Sequence, residues 1–148
     1  MLVTLAHVGS LAGRKDDFES LTRAYLERTS AYVSCESQVF KTEAALLGWL
    51  AKQKGRTTAV AVLLDGRGKT MSSEAMAAWL GRLRDDGAQH VVFAVGPADG
   101  WTDEARKSAT MLLSLGAMTL AHSLARVVIA EQIYRAFTIL AGHPYHRA

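Results

Sequence analysis

Two short runs carry apolar residues at successive positions with no alternation: Thr58-Ala-Val-Ala-Val-Leu-Leu64 and His90-Val-Val-Phe-Ala-Val95. A strand with one wet face alternates apolar and polar residues, whereas a strand apolar at every step must be covered on both faces. Both-face burial calls for parallel pairing, and parallel neighbours are joined by long crossovers, usually helical. Leu2–His7 has the same apolar, β-rich character, and Cys35–Phe40 is a weaker strand. Met111–Ser114 and Met118–Leu120 bracket Gly116 as a strand and a loop.

Helical stretches fill the intervals. Asp16 or Asp17 caps a helix to about Thr29, with Phe18, Leu21, Tyr25 and Leu26 on its apolar side. Glu43–Lys54 carries Leu46, Leu47, Trp49 and Leu50 and ends at a glycine cap, Gly55. Ser72 and Ser73 start a third helix that ends by Gly87, with Met76, Trp79, Leu80 and Leu83 facing inward. Asp103–Ser108 is a short helix and Ser123–Ala141 the longest. Strands alternating with helices give the class α/β, with a mostly parallel sheet flanked by helices. With 148 residues, 49% of them apolar, the chain reads as one domain over 1–148 with its own core.

In such sheets ligands bind outside the carboxyl ends of the strands. Three of those ends carry small or special residues: Leu64-Asp-Gly-Arg-Gly-Lys69, Val95-Gly-Pro-Ala-Asp-Gly100 and Leu115-Gly-Ala-Met-Thr-Leu-Ala121. Glycines there either let a ligand approach the backbone or merely make turns. Asp65 reads as a turn or cap residue more readily than as a ribose contact. No Gly-x-Gly-x-x-Gly heads a helix and no Walker-type lysine loop is present, which argues against a dinucleotide site and a P-loop.

A net charge of +3 permits contact with RNA phosphates without demanding it. The lone cysteine, Cys35, excludes an intrachain disulfide and a thiolate zinc cluster within one chain, and reads as a small buried hydrophobe. No metal site is expected. The first residues lack the basic and long apolar regions of a signal peptide, and no apolar run nears the roughly 20 residues of a membrane span, so a cytoplasmic location is expected.

The last third is the most specific part. Leu115–Arg126 is followed by Glu131-Gln-Ile-Tyr-Arg-Ala136 and by His143-Pro-Tyr-His-Arg147, a terminus rich in polar rings where most chains fray. With Leu63-Leu-Asp-Gly-Arg-Gly-Lys69, Ser72-Ser-Glu74 and Gly96-Pro-Ala-Asp-Gly100, these motifs resemble, in order and spacing, the ribosomal large-subunit methyltransferase H family, small SPOUT-class enzymes. The resemblance is strong over 58–148 and weak over 8–57.

The resemblance implies a SPOUT fold with a C-terminal trefoil knot, and S-adenosylmethionine held by backbone groups of Leu64, Gly96, Pro97, Gly116, Ala117, Met118, Thr119, Leu120 and Ala121. It implies a homodimer that methylates N3 of a pseudouridine in 23S rRNA (helix 69) on assembled ribosomes. RNA contacts are expected from His122, Arg126 and Arg147, and substrate-side chemistry from His143, Tyr145 and His146. Pro97 stands where the family has the second glycine of Gly-Gly, which removes an N–H, and Ala121 where it has a proline. Arg14 and Lys15 are what remains of a lysine-rich stretch.

The residues themselves leave alternatives open. His122 is a substrate or cofactor contact, or a capping residue. Arg126 binds RNA, or pairs with Glu131 or a partner residue. Glu131 and Arg135 have the spacing of a helix salt bridge, and Tyr134 and Phe137 read as core or dimer interface. A SPOUT-class tRNA methyltransferase and a non-catalytic ribosome-binding relative are the competing functions.

Overall fold

The computed structural model describes residues 1–53 and 57–147. Its elements are β1 (Leu2–Val8), α1 (Asp17–Thr29), β2 (Ser34–Phe40), α2 (Glu43–Lys52), β3 (Val60–Lys69), α3 (Ser73–Asp85), β4 (His90–Val95), α4 (Asp103–Ser108), β5 (Met111–Leu113) and α5 (His122–Ala141). The five strands form one sheet in the order β2-β1-β4-β3-β5, and every pairing is parallel. The expected class is the observed one. Gly55, expected to cap the second helix, lies outside the described residues.

The two-residue period of each strand divides its side chains between two cores. Val3, Leu5, Val62, Val91 and Phe93 face α3 and α5, while Ala6, Val8, Leu63, Val92 and Ala94 meet Leu46 of α2 and Ala105 of α4. Helices start where side-chain oxygens take the free N–H groups of the first turn. Asp16 caps α1, Thr42 caps α2, Ser72 caps α3 and Thr102 caps α4. α5 packs between α1 and α3, burying Arg126, Ile129, Ala130, Ile133, Tyr134, Ala136, Phe137 and Thr138.

Two expectations need correction. The buried face of α1 is Glu19, Thr22, Leu26 and Thr29, whereas Phe18 and Leu21 are 42% and 48% exposed. Leu26 is buried and Tyr25 packs against the core as expected, but in the first turns the inward positions are Glu19 and Thr22 rather than Phe18 and Leu21, because their polar atoms are satisfied within the fold. Thr22 and Thr29 donate to the carbonyls of Phe18 and Tyr25 one turn back.

The second correction concerns β3, which does not stop at Leu64 but runs to Lys69. Leu64 and Lys69 both pair with Leu113, so the residues between them bulge out and the chain returns to the same edge. Gly68 makes that return possible. A Cβ there would sit 2.5 Å from the Leu112 carbonyl carbon.

Cys35, half-buried in β2, keeps its proton because burial pushes the thiol up to about 11. Native protein at pH 8 is therefore expected to react slowly with iodoacetamide, and unfolded protein quickly. Gly68→Ala is expected to destabilise by about 1–3 kcal/mol through backbone overpacking. Gly66→Ala, with nothing within 4 Å of the added carbon, should keep the wild-type unfolding midpoint.

Candidate active site

Parallel pairing puts the carboxyl ends of β3, β4 and β5 on one edge of the sheet, and their three loops close around a single cavity of about 350 Å3. Leu64, Gly96, Pro97, Gly116, Ala117, Met118, Thr119, Leu120 and His122 all line it. Ala121 does not, and instead forms the cap position of α5.

Each loop has its own brace. In the first, the Asp65 carboxylate accepts from the Arg67 N–H (2.9 Å) and from Arg106 Nε (2.9 Å), and Arg106 also reaches Asp103 (2.6 Å). Burial works to raise the Asp65 pKa, but the Arg67 N–H and the Arg106 guanidinium outweigh it and hold it below the usual carboxylate value. The clamp therefore holds through the neutral range and is released only as pH falls through that lowered value.

In the second loop, the buried Trp101 donates its indole N–H to the Leu64 carbonyl at 2.8 Å and joins the two loops. Gly96 serves that contact, since a Cβ on it would lie 2.7 Å from the indole ring. Thr102, next to Trp101, is tied to Glu43 of α2 through its N–H (2.8 Å) and hydroxyl (2.6 Å).

In the third loop, Gly116 has φ +129°, a backbone that other L-residues rarely adopt. Ser114 holds it from both sides, accepting from its N–H and donating to its carbonyl. The loop ends at α5, whose first turn has no side-chain cap, so its free N–H groups stand at the cavity rim.

The side chains expected on the substrate side fall elsewhere. Arg126 is 2% exposed; its guanidinium forms an ion pair with Glu19 of α1 and donates to Ser37 Oγ at 2.7 Å. Within this chain it is not presented to an RNA phosphate. Its partner within the chain is Glu19 and not Glu131. Burial pulls its pKa down, against the pull of Glu19.

The C-terminal segment folds back on its own helices. Tyr145 donates to Glu131 at 2.9 Å, and His146 meets Glu74 of α3 at 2.8 Å and Arg135 at 3.1 Å. Arg135 and Glu131 pair as their spacing predicts, at 2.6 Å. The Tyr145 ring meets Tyr134 edge-on at 4.7 Å and lies 4.9 Å from the Arg135 guanidinium. Burial and then Glu131 raise its phenol pKa. His143 and Arg147 are exposed. None of these residues lines the loop cavity.

Sequence reasoning missed Trp101, Arg106 and Glu19. Trp101 and Arg106 brace loops from outside any motif, and Glu19 meets a residue 107 positions away. Among the described residues no group of three His, Cys, Asp or Glu side chains is placed to hold a metal, and no helix is long and apolar enough to cross a membrane.

Comparison with known proteins adds the following. A family model described as predicted SPOUT methyltransferase matches residues 1–146. A ribosomal RNA large subunit methyltransferase H of Koribacter versatilis is 52% identical over 133 residues, 90% of this chain and 90% of that protein. A protein of the same name from Brucella abortus (strain S19) is 52% identical over 100 residues, 66% of this chain and 59% of that protein. Among solved structures, the SpoU methyltransferase AviRb of Streptomyces viridochromogenes, in complex with the cofactor AdoMet, matches with a TM-score of 0.50. That match covers 97% of this chain and 58% of the other at 13% identity, a likeness of fold.

The buried Arg126–Glu19 pair sets a stability test. Glu19→Ala strands the guanidinium and is expected to cost about 3–5 kcal/mol in denaturant unfolding. The double variant Glu19→Met/Arg126→Leu should recover most of that loss, since the pair is worth little against well-packed apolar side chains.

Proposed function

We propose that this chain, which belongs to the SPOUT methyltransferase family, is an S-adenosylmethionine-dependent methyltransferase acting on N3 of a pseudouridine in helix 69 of 23S rRNA, on assembled ribosomes. One observation carries the reading: the three strand-end loops that the family motifs mark meet at one cavity. The chain acts as a single domain in the cytoplasm, and its C-terminal segment threads the SPOUT knot.

The cavity suits that cofactor. Its volume of about 350 Å3, its slim loops and its adjacent Asp65 and Arg106, which neutralise one another, fit an adenosine with a zwitterionic side chain. The methionine carboxylate suits the uncapped start of α5. When bound, the cofactor supplies an electrophilic methyl on a sulfonium. The chain's part is to hold the N3 of the base in line with that methyl and to let the N3 proton leave. Pro97 offers no N–H, so the second loop binds through fewer donors than a Gly-Gly loop would.

The tail supports a homodimer. Tyr145 is held away from its own cavity by Glu131, and His146 by Arg135 and Glu74, while His143 stays exposed. They serve the cavity of a second copy, which leaves the exposed Met118 and Leu124 near the rim to be covered by that copy.

The decisive experiment is methyl transfer from labelled S-adenosylmethionine to intact ribosomes lacking the modification, with the product nucleotide mapped by mass spectrometry. The expected product is an N3-methylated pseudouridine in helix 69, with free rRNA a poor substrate. A label elsewhere, or equal rates on free rRNA, would overturn the assignment. The shared site predicts complementation: a variant ending at Gly142 and a Gly116→Val variant, each inactive alone, should regain transfer when co-refolded as mixed dimers.

A further inference from the structure

Two arginines stand in the wall of the loop cavity, Arg67 and Arg106, and their states differ. The Arg106 guanidinium is spent: Nε donates to Asp65 Oδ2 at 2.9 Å and Nη1 to Asp103 at 2.6 Å. Arg67 is exposed, and among the described residues its guanidinium makes no hydrogen bond or ion pair. What ties Arg67 to Asp65 is its backbone N–H, which donates to Oδ1 at 2.9 Å. Its charge adds to the pull on that carboxyl without closing on it.

The local sequence puts this free charge in a fixed place. Leu64 and Lys69 both pair with Leu113, so residues 65–68 leave the ladder and carry Arg67 outward. Asp65, clamped to Arg106, fixes the departure, and Gly68, seated on the Leu112 backbone, fixes the return. A Cβ on Gly66 would meet nothing within 4 Å, so no neighbour crowds the arginine from that side. The backbone of the excursion is held, while the guanidinium is left to a partner from outside the chain.

Arginine is charged at any working pH, and its planar fork matches the paired oxygens of a phosphate or a carboxylate. Methyl transfer to RNA brings both anions to the site. The carboxylate belongs to a cofactor that is cationic overall, with a sulfonium and an ammonium, and the free N–H groups at the start of α5 already suit it. The phosphate is the anion still without a partner, since Arg126, expected to take one, is buried against Glu19. Asp99, exposed in the same wall but on the second loop, repels a phosphate toward the first.

We propose that Arg67 binds a backbone phosphate of the RNA, beside the nucleotide to be methylated, and so positions that nucleotide at the mouth of the loop cavity. Such a contact fixes register and carries no sequence information of its own. The inference rests on the methyltransferase reading above and adds the side chain that grips the RNA at the site.

The test compares wild type with Arg67→Ala, Arg67→Lys and a control, Arg82→Ala, which removes an exposed arginine in the last turn of α3, outside the cavity wall. Three quantities are measured: Kd for unmodified ribosomes across a salt series, cofactor Kd by calorimetry, and methyl transfer. Arg67→Ala should weaken ribosome binding by about tenfold at about 50 mM salt and about threefold at about 200 mM, because losing one phosphate contact lowers the slope of log K against log salt by about 0.7–0.9. Arg67→Lys keeps the charge and should restore the slope and most of the affinity. Cofactor Kd should not change in any variant, and Arg82→Ala should keep the wild-type slope. A wild-type slope in Arg67→Ala, beside an active wild type, overturns the contact and leaves the methyltransferase reading standing. So does an equal fall in Arg82→Ala, which would make the effect one of net charge, or a loss of cofactor affinity in Arg67→Ala, which would give the guanidinium to the carboxylate. A wild type that binds cofactor but transfers nothing to ribosomes removes the reading itself, and the inference with it.

Discussion

Burial of the sheet on both faces is the constraint from which the rest of the structure follows. Val91, Val92, Phe93 and Ala94 are all fully buried, and they point alternately into two cores. Only parallel neighbours with crossovers on both sides cover such a strand. Parallel pairing then delivers β3, β4 and β5 to the same edge, so three loops far apart in the chain have no choice but to meet. The loop cavity is a by-product of how the core is covered.

What the core does not supply, individual side chains do. Asp65 and Arg106 clamp the first loop, Trp101 ties it to the second, and Ser114 braces Gly116 in the third. These contacts fix the loops around the cavity, whose wall includes Asp65, Trp101 and Arg106. α5 links the site to the rest of the molecule. It starts at the cavity, buries Arg126 against Glu19, and ends in a segment pinned to its own Glu131 and to Glu74 of α3. One helix thus couples the loop cavity and the tail.

Patterns local in the chain were legible at once. Strand and helix limits agree closely except at the end of β3, because apolar runs and cap residues act over a few positions. The gathering of Leu64, Gly96 and Gly116–Leu120 followed from the parallel topology. The packing of Arg126 and of the tail within the chain was not legible. Both carry residue types that bind RNA well, and both are engaged by partners the sequence places far away: Glu19 and Ser37 for Arg126, Glu74 for His146. The inward face of α1 was misjudged for a related reason, since Glu19 and Thr22 are buried only because their polar atoms are paired.

The sequence by itself determined the α/β class, the strand and helix order, and the loops that would line a site, because hydrophobic period and capping are properties of neighbours in the chain. Tertiary structure alone decided which charged groups were free and which were consumed. An arginine at a helix start is the same residue whether it faces solvent or a buried carboxylate. That choice is made by packing between elements a hundred residues apart, where the cost of burying a charge must be met by a partner on another helix.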